Sequence, residues 1–163
     1  MNHTVLKPIT ALTDELSNLC AETLGPGRFA RTAYRLREQA EASTLWGFNA
    51  YKDDQLIGTI SLTNLTIGGK EGASLLGPLL VAEDHRGKGL GLKLIEKALL
   101  SAKESGSKLV LLVGDVAYYE KAGFVNVPPQ SITLPGPVDP NRLLAHEIKK
   151  GSLESFKGQA KAI

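Results

Sequence analysis

The sequence has one cysteine, Cys20, among 163 residues. One thiol cannot close an internal disulfide or build a multi-cysteine zinc site, which fits a reducing compartment. An excess of charge is also missing, since 19 Lys and Arg against 17 Asp and Glu leave a net charge of +2. That balance provides no strong field to gather nucleic acid or an anionic membrane surface. No apolar run approaches the roughly 20 residues needed to cross a bilayer. Met1-Asn2-His3-Thr4-Val5-Leu6-Lys7-Pro8 lacks the apolar core of a signal peptide. Repeats and low-complexity stretches are absent too. The expectation is a cytoplasmic protein without a metal, nucleic acid or membrane among its partners.

What is present is a hydrophobic content of 42%, enough for the core of one domain over 1–163. After a short extended start near Val5 to Ile9, Thr13 or Asp14 caps a helix through about Leu24, stopped by Gly25-Pro26-Gly27. A second helix is expected from Arg28 to about Ala40, on the spacing of Phe29, Ala33, Leu36 and Ala40. Thr44 to Tyr51 and Gln55 to Leu65 read as a hairpin turning at Lys52-Asp53-Asp54. Ala73 to Val81 is an apolar strand broken by Gly77-Pro78, where a proline without an N–H predicts a distorted sheet. A long helix from Gly89 to about Ser105 follows, with Gly91, Ile95, Ala98 and Ala102 on one stripe and Gly106 as its stop. Lys108 to Val113 has the continuous apolar run of a strand covered on both faces. Asp115 caps a short helix, strand pieces are expected at Phe124 to Val127, Ser131 to Leu134 and Leu143 to Ile148, and a polar tail from about 150 is expected to fray. The fold class is mixed α/β.

The strongest local feature runs from Leu79-Leu80-Val81 through His85 to Arg86-Gly87-Lys88-Gly89-Leu90-Gly91. A strand passes through a glycine-rich turn into a helix, and the first amides of a helix have no internal partner. Alternate glycines leave the main chain open to a phosphate, and the helix dipole favours negative charge there. A bare turn before an ordinary helix gives the same glycine pattern. Two nucleotide motifs do not match. Lys88 precedes Gly89 with no hydroxyl residue after it, unlike a triphosphate loop, and Lys108 to Val113 has no acidic residue for a dinucleotide ribose.

Arg86-Gly87-Lys88-Gly89-Leu90-Gly91 resembles the Arg/Gln-x-x-Gly-x-Gly/Ala signature of the GNAT superfamily of acyl-CoA-dependent N-acyltransferases. Tyr119-Glu120-Lys121-Ala122-Gly123-Phe124 is similar to a second block of that family, in the right order. Other segments, such as Leu134-Pro135-Gly136-Pro137-Val138-Asp139, resemble a bacterial subgroup of predicted acetyltransferases. The resemblance implies a twisted mixed sheet of about six to seven strands, splayed at the fourth strand and flanked by about four helices. It implies acetyl-CoA as donor, bound by Arg86 to Gly91 and by the backbone of Leu79, Leu80 and Val81. It places Tyr119 near the coenzyme sulfur as general acid or thiolate hydrogen-bond donor, although Tyr118 beside it is an alternative. The oxyanion would be met by a backbone amide near Leu80 or Val81.

Two departures from the family pattern stand out. The strand from Ala73 to Val81 carries no carboxylate or histidine, and position 112 is leucine where many relatives have asparagine. Glu71, Glu83, Asp84 and His85 lie near that strand in sequence as candidate bases, and His85 also reads as a packing residue. Arg28, Arg31, Tyr34, Arg35 and Arg37 read either as a solvated face or as the wall of a pocket for an acidic acceptor. Cys20 reads as structural. The expected function is transfer of an acetyl group to a primary amine, with a silent acyl-CoA-binding module as the alternative. The acceptor amine and the oligomeric state, a homodimer being one option, stay open.

Overall fold

In the computed structural model, residues 3–11, 13–24 and 46–163 are described. The expected stop at Gly25-Pro26-Gly27, the helix from Arg28 and the arginines on it lie outside these residues. β1 (Thr4–Pro8) pairs antiparallel with β2 (Gly47–Lys52), which forms the expected hairpin with β3 (Gln55–Ile67). Asp53 and Asp54 both have positive φ at its turn, a conformation aspartate tolerates. Gly68 and Gly69 make the next turn into β4 (Lys70–Val81), longer than the expected strand. Helix α1 (Asp14–Leu24) starts at Thr13, whose Oγ1 accepts from Leu16 N at 3.2 Å.

Two features of β4 shape the rest. Ile60 pairs with Leu79 and Leu62 with Leu76, so β4 takes three residues against two on β3. This bulge lies at Gly77-Pro78, where the distortion was expected. The parallel pairing of β4 with β5 (Leu109–Val113) covers Ala73 to Leu75 and stops there. Beyond that point β4 stays with β3 while β5 follows β8 (Leu143–Glu147), and the sheet splays open. At the closed end the buried Ser74 and Ser107 hydroxyls hydrogen-bond to each other.

Helix α2 (Leu90–Glu104) covers one face. Its buried residues are Leu90, Gly91, Leu94, Ile95, Ala98 and Ala102, the expected stripe widened by Leu90 and Leu94. Burying each such leucine or isoleucine contributes about 1.5–3 kcal/mol. In β5, Val110 and Leu112 join the core under α2 while Leu109 and Leu111 join the opposite core, as a strand covered on both faces requires. Short helix α3 (Val116–Tyr119) follows, capped by Asp115, whose carboxylate accepts from Ala117 N at 3.1 Å.

The strands run β1-β2-β3-β4-β5-β8-β6 in space, with β6 (Val125–Asn126) at the edge. These seven match the expected number, and two more are added. β7 (Ile132–Thr133) pairs with β9 (Gly158–Ala162), which also continues along β3 beyond β2. The tail expected to fray from about 150 is therefore folded into α4 (Ser152–Ser155) and β9. It reads as polar because β9 buries Ala160 alone and is held through its main chain, for example by Gly68 N donating to Gln159 O at 3.0 Å. Phe156, fully buried, is its apolar anchor. Phe156→Ala is expected to cost about 3–5 kcal/mol of unfolding free energy, measured by denaturant titration. A loss below about 1 kcal/mol would mean that the tail is not docked as described.

Candidate functional site

Where β4 and β5 part, the ends of β4, α2 and α3 enclose a cavity of about 570 Å³. Leu79, Val81, His85, Arg86, Gly87, Gly89, Leu90, Gly91, Tyr118, Tyr119 and Lys121 are among the residues lining it. The two blocks singled out in the sequence, about 30 residues apart, therefore meet across one cleft.

Its floor is the turn into α2. A short 3-10 turn, Glu83–His85, ends at Arg86, and Gly89 caps α2 with φ of 83°. Gly87 has φ of 74°, and for both glycines nothing lies within 4 Å of where a β-carbon would stand. Backbone conformation therefore accounts for the glycines, and the space above them is open. The amides of Leu90, Gly91 and Leu92 begin the helix without helical acceptors. The first turn carries no acidic side chain to occupy them. Such a helix end attracts an anion.

The wall made by β4 follows from its pairing. Ala82 N donates to Ile57 O at 2.8 Å, which makes Gly58 and Val81 a non-hydrogen-bonded pair. By antiparallel alternation the backbone groups of Val81 and Leu79 then point away from β3, and those of Leu80 point toward it. The Leu80 side chain is buried with Ile9, Leu16, Leu19 and Leu56 on the α1 side. Leu80 is thus a correction to the sequence reading, because neither its side chain nor its main chain faces the cleft. Arg86 is placed differently from a free cation, since its Nε donates to the Val81 carbonyl at 3.1 Å and ties the turn to the strand. Lys88 is exposed and is not part of the cleft lining, whereas Lys121, missed in the sequence, is.

The opposite wall is aromatic. The Tyr119 ring stands edge-on to Tyr118 at 5.0 Å and to buried Phe124 at 5.9 Å between centroids. Phe124 in turn lies against His146, whose Nδ1 is 3.2 Å from the Gly123 carbonyl oxygen. A β-carbon on Gly114 would collide with the edge of the Tyr119 ring, so Gly114 sets where that ring can lie. Sequence reading passed over this glycine although it immediately precedes the helix cap. A β-carbon on Gly91 would collide with the Tyr118 hydroxyl. Gly91, expected to be a glycine for phosphate access, is therefore also required by a tyrosine. Burial raises the Tyr118 pKa above its ordinary value, so this hydroxyl keeps its proton at neutral pH.

Comparison with known proteins agrees with this geometry. The model of the Acetyltransferase (GNAT) family matches residues 12–124. The uncharacterized N-acetyltransferase YhbS of Escherichia coli is 27% identical over 131 residues, covering 79% of this chain and 77% of YhbS. The crystal structure of Escherichia coli YhbS in complex with CoA superposes with a TM-score of 0.84 at 22% identity, covering 100% of this chain and 91% of that one. A GNAT family acetyltransferase from Brucella melitensis, in complex with acetyl-CoA, gives 0.57 at 23% identity over 90% of this chain and 97% of its own.

Proposed function

The chain belongs to the acetyltransferase (GNAT) family, and on that premise we propose that it moves an acetyl group from acetyl-CoA directly to a primary amine in the cytoplasm. The carrying observation is the single cleft that joins the open helix start at Gly89 to the Tyr119 ring. The amides of Leu90, Gly91 and Leu92 bind the donor pyrophosphate, and Lys121 adds positive charge. Arg86 holds the turn in place through Val81 O. The cleft-facing backbone of Leu79 and Val81 lies along the pantetheine arm, with the Val81 amide directed at the developing oxyanion.

Acetyl-CoA supplies the thioester. The amine nitrogen forms a bond to its carbonyl carbon, the carbon–sulfur bond breaks, and the departing thiolate takes the proton of the Tyr119 phenol. The amine releases its own proton to water or to a base, and solvent returns a proton to the Tyr119 phenolate. His85 is the imidazole on the described cleft wall, on the pyrophosphate side of it.

A silent acyl-CoA-binding module is the second reading, favoured by the absence of a carboxylate on the described lining of this cleft. CoA titration followed by thioester cleavage over an amine panel separates the two. An enzyme is stabilised by CoA and releases free thiol in step with amine acetylation. Stabilisation of about 2.7 kcal/mol at a hundredfold excess over Kd, without thiol release, would leave the binding module alone. No stabilisation at all would remove both.

A further inference from the structure

Gly91 lies inside α2 with an ordinary helical backbone, so its glycine is not demanded by φ. Its α-carbon is covered instead by the Tyr118 hydroxyl, which stands where a side chain would begin. That hydroxyl is placed firmly. The Tyr118 ring meets Tyr119 at 87° between planes, and Lys121 Nζ lies 5.9 Å from its centroid. Among the described residues no group hydrogen-bonds the hydroxyl, and burial is the cause of its pKa shift. Tyr118 is half-buried and lines the open cleft, so its hydroxyl is available to a ligand oxygen there.

The nearest ligand-binding groups are the amides of the first turn of α2, where Gly91 is the second residue. A phosphate oxygen docked on them comes within reach of a hydroxyl seated on the Gly91 α-carbon. We propose that Tyr118 is a donor-binding residue distinct from Tyr119, whose hydroxyl hydrogen-bonds the coenzyme pyrophosphate, and that Gly91 is glycine to seat this hydroxyl. This rests on the acyl-CoA reading above. The two tyrosines then divide the work. Tyr118 faces the pyrophosphate end of the cleft, and Tyr119 serves the sulfur end. Because the phenol retains its proton, it reaches the anion as a hydrogen-bond donor, and bonds to charged acceptors are the stronger kind.

The test measures CoA affinity by calorimetry and inorganic pyrophosphate by competition with CoA, for the parent, Tyr118→Phe, Gly91→Ala and the double variant. Tyr118→Phe keeps the ring and its stacking, and it is expected to weaken CoA and pyrophosphate by the same factor of about ten. Gly91→Ala pushes the hydroxyl aside and is expected to weaken CoA by a similar factor. On the Tyr118→Phe background the same alanine should add less than about twofold, since the atom it displaces is gone. Full CoA affinity in Tyr118→Phe would overturn the proposal. So would a loss confined to CoA with pyrophosphate unaffected, or an equal alanine cost in both backgrounds. If the parent itself binds no CoA, the acyl-CoA reading fails before any variant is compared.

Discussion

Tyr119→Phe is expected to lower kcat about 100-fold or more, with the KM for acetyl-CoA changed by less than about threefold, because general acid catalysis contributes roughly 10²–10⁴. Phenylalanine keeps the ring that stacks on Tyr118 and Phe124 and that fills the gap at Gly114. The substitution therefore removes a proton donor and little packing. Without that donor the thiolate must leave unprotonated or wait for water, and the cost falls on the step in which the carbon–sulfur bond breaks. With the pyrophosphate on the proposed amides that start α2, donor binding is expected to change little. Steady-state kinetics with any amine that supports turnover gives the answer. An unchanged kcat would remove Tyr119 from the reaction, and a kcat loss in Tyr118→Phe instead would exchange the roles of the two tyrosines.

Gly89→Asp is expected to abolish measurable donor binding while leaving the fold intact. Gly89 caps α2 at φ of 83° with open space around it. A side chain at this φ is strained by roughly 1–2 kcal/mol, less for aspartate than for most residues, and its carboxylate suits the positive end of the dipole. The midpoint of thermal unfolding should therefore stay within a few degrees of the parent. The same carboxylate competes with the pyrophosphate for the first amides and repels it. At about 5 Å with an effective dielectric of about 20, one unit-charge pair costs roughly 3 kcal/mol, more than a hundredfold in Kd. Calorimetry with CoA and a melting curve on the same sample measure both effects. Undiminished CoA affinity in a folded Gly89→Asp protein would move the donor away from residues 86–91.

Local patterns in the sequence carried much of the architecture. The apolar run at Lys108 to Val113 announced a strand with two covered faces, and Val110 and Leu111 indeed enter different cores. Asp115 announced a helix start, and Gly77-Pro78 announced a break in β4 that appears as a bulge. Each of these depends on neighbours within a few residues, so composition and spacing suffice. Leu80 shows where a further step was needed. Period-two alternation sets Leu79 and Val81 apart from Leu80, yet which set faces the cleft depends on the register with β3. The C-terminal strand was hidden for another reason. Its bonds are main-chain bonds to β3 and β7, and Gly158 to Ala162 offers one buried side chain as a sign of them.

The family and the two blocks that make the cleft were legible in the residues, because a glycine turn into a helix and a tyrosine before a glycine turn are local, directional patterns. Tertiary structure alone decided how those blocks meet. The splay of β4 from β5 after Leu75 opens the space, and the seating of α3 against α2 puts the Tyr118 hydroxyl on Gly91 and the Tyr119 ring on Gly114. Two adjacent tyrosines are chemically identical in a sequence. They become different when packing fixes the rotation of the short helix that bears them, because one hydroxyl then lies on Gly91 while the other ring packs on Gly114 and Phe124.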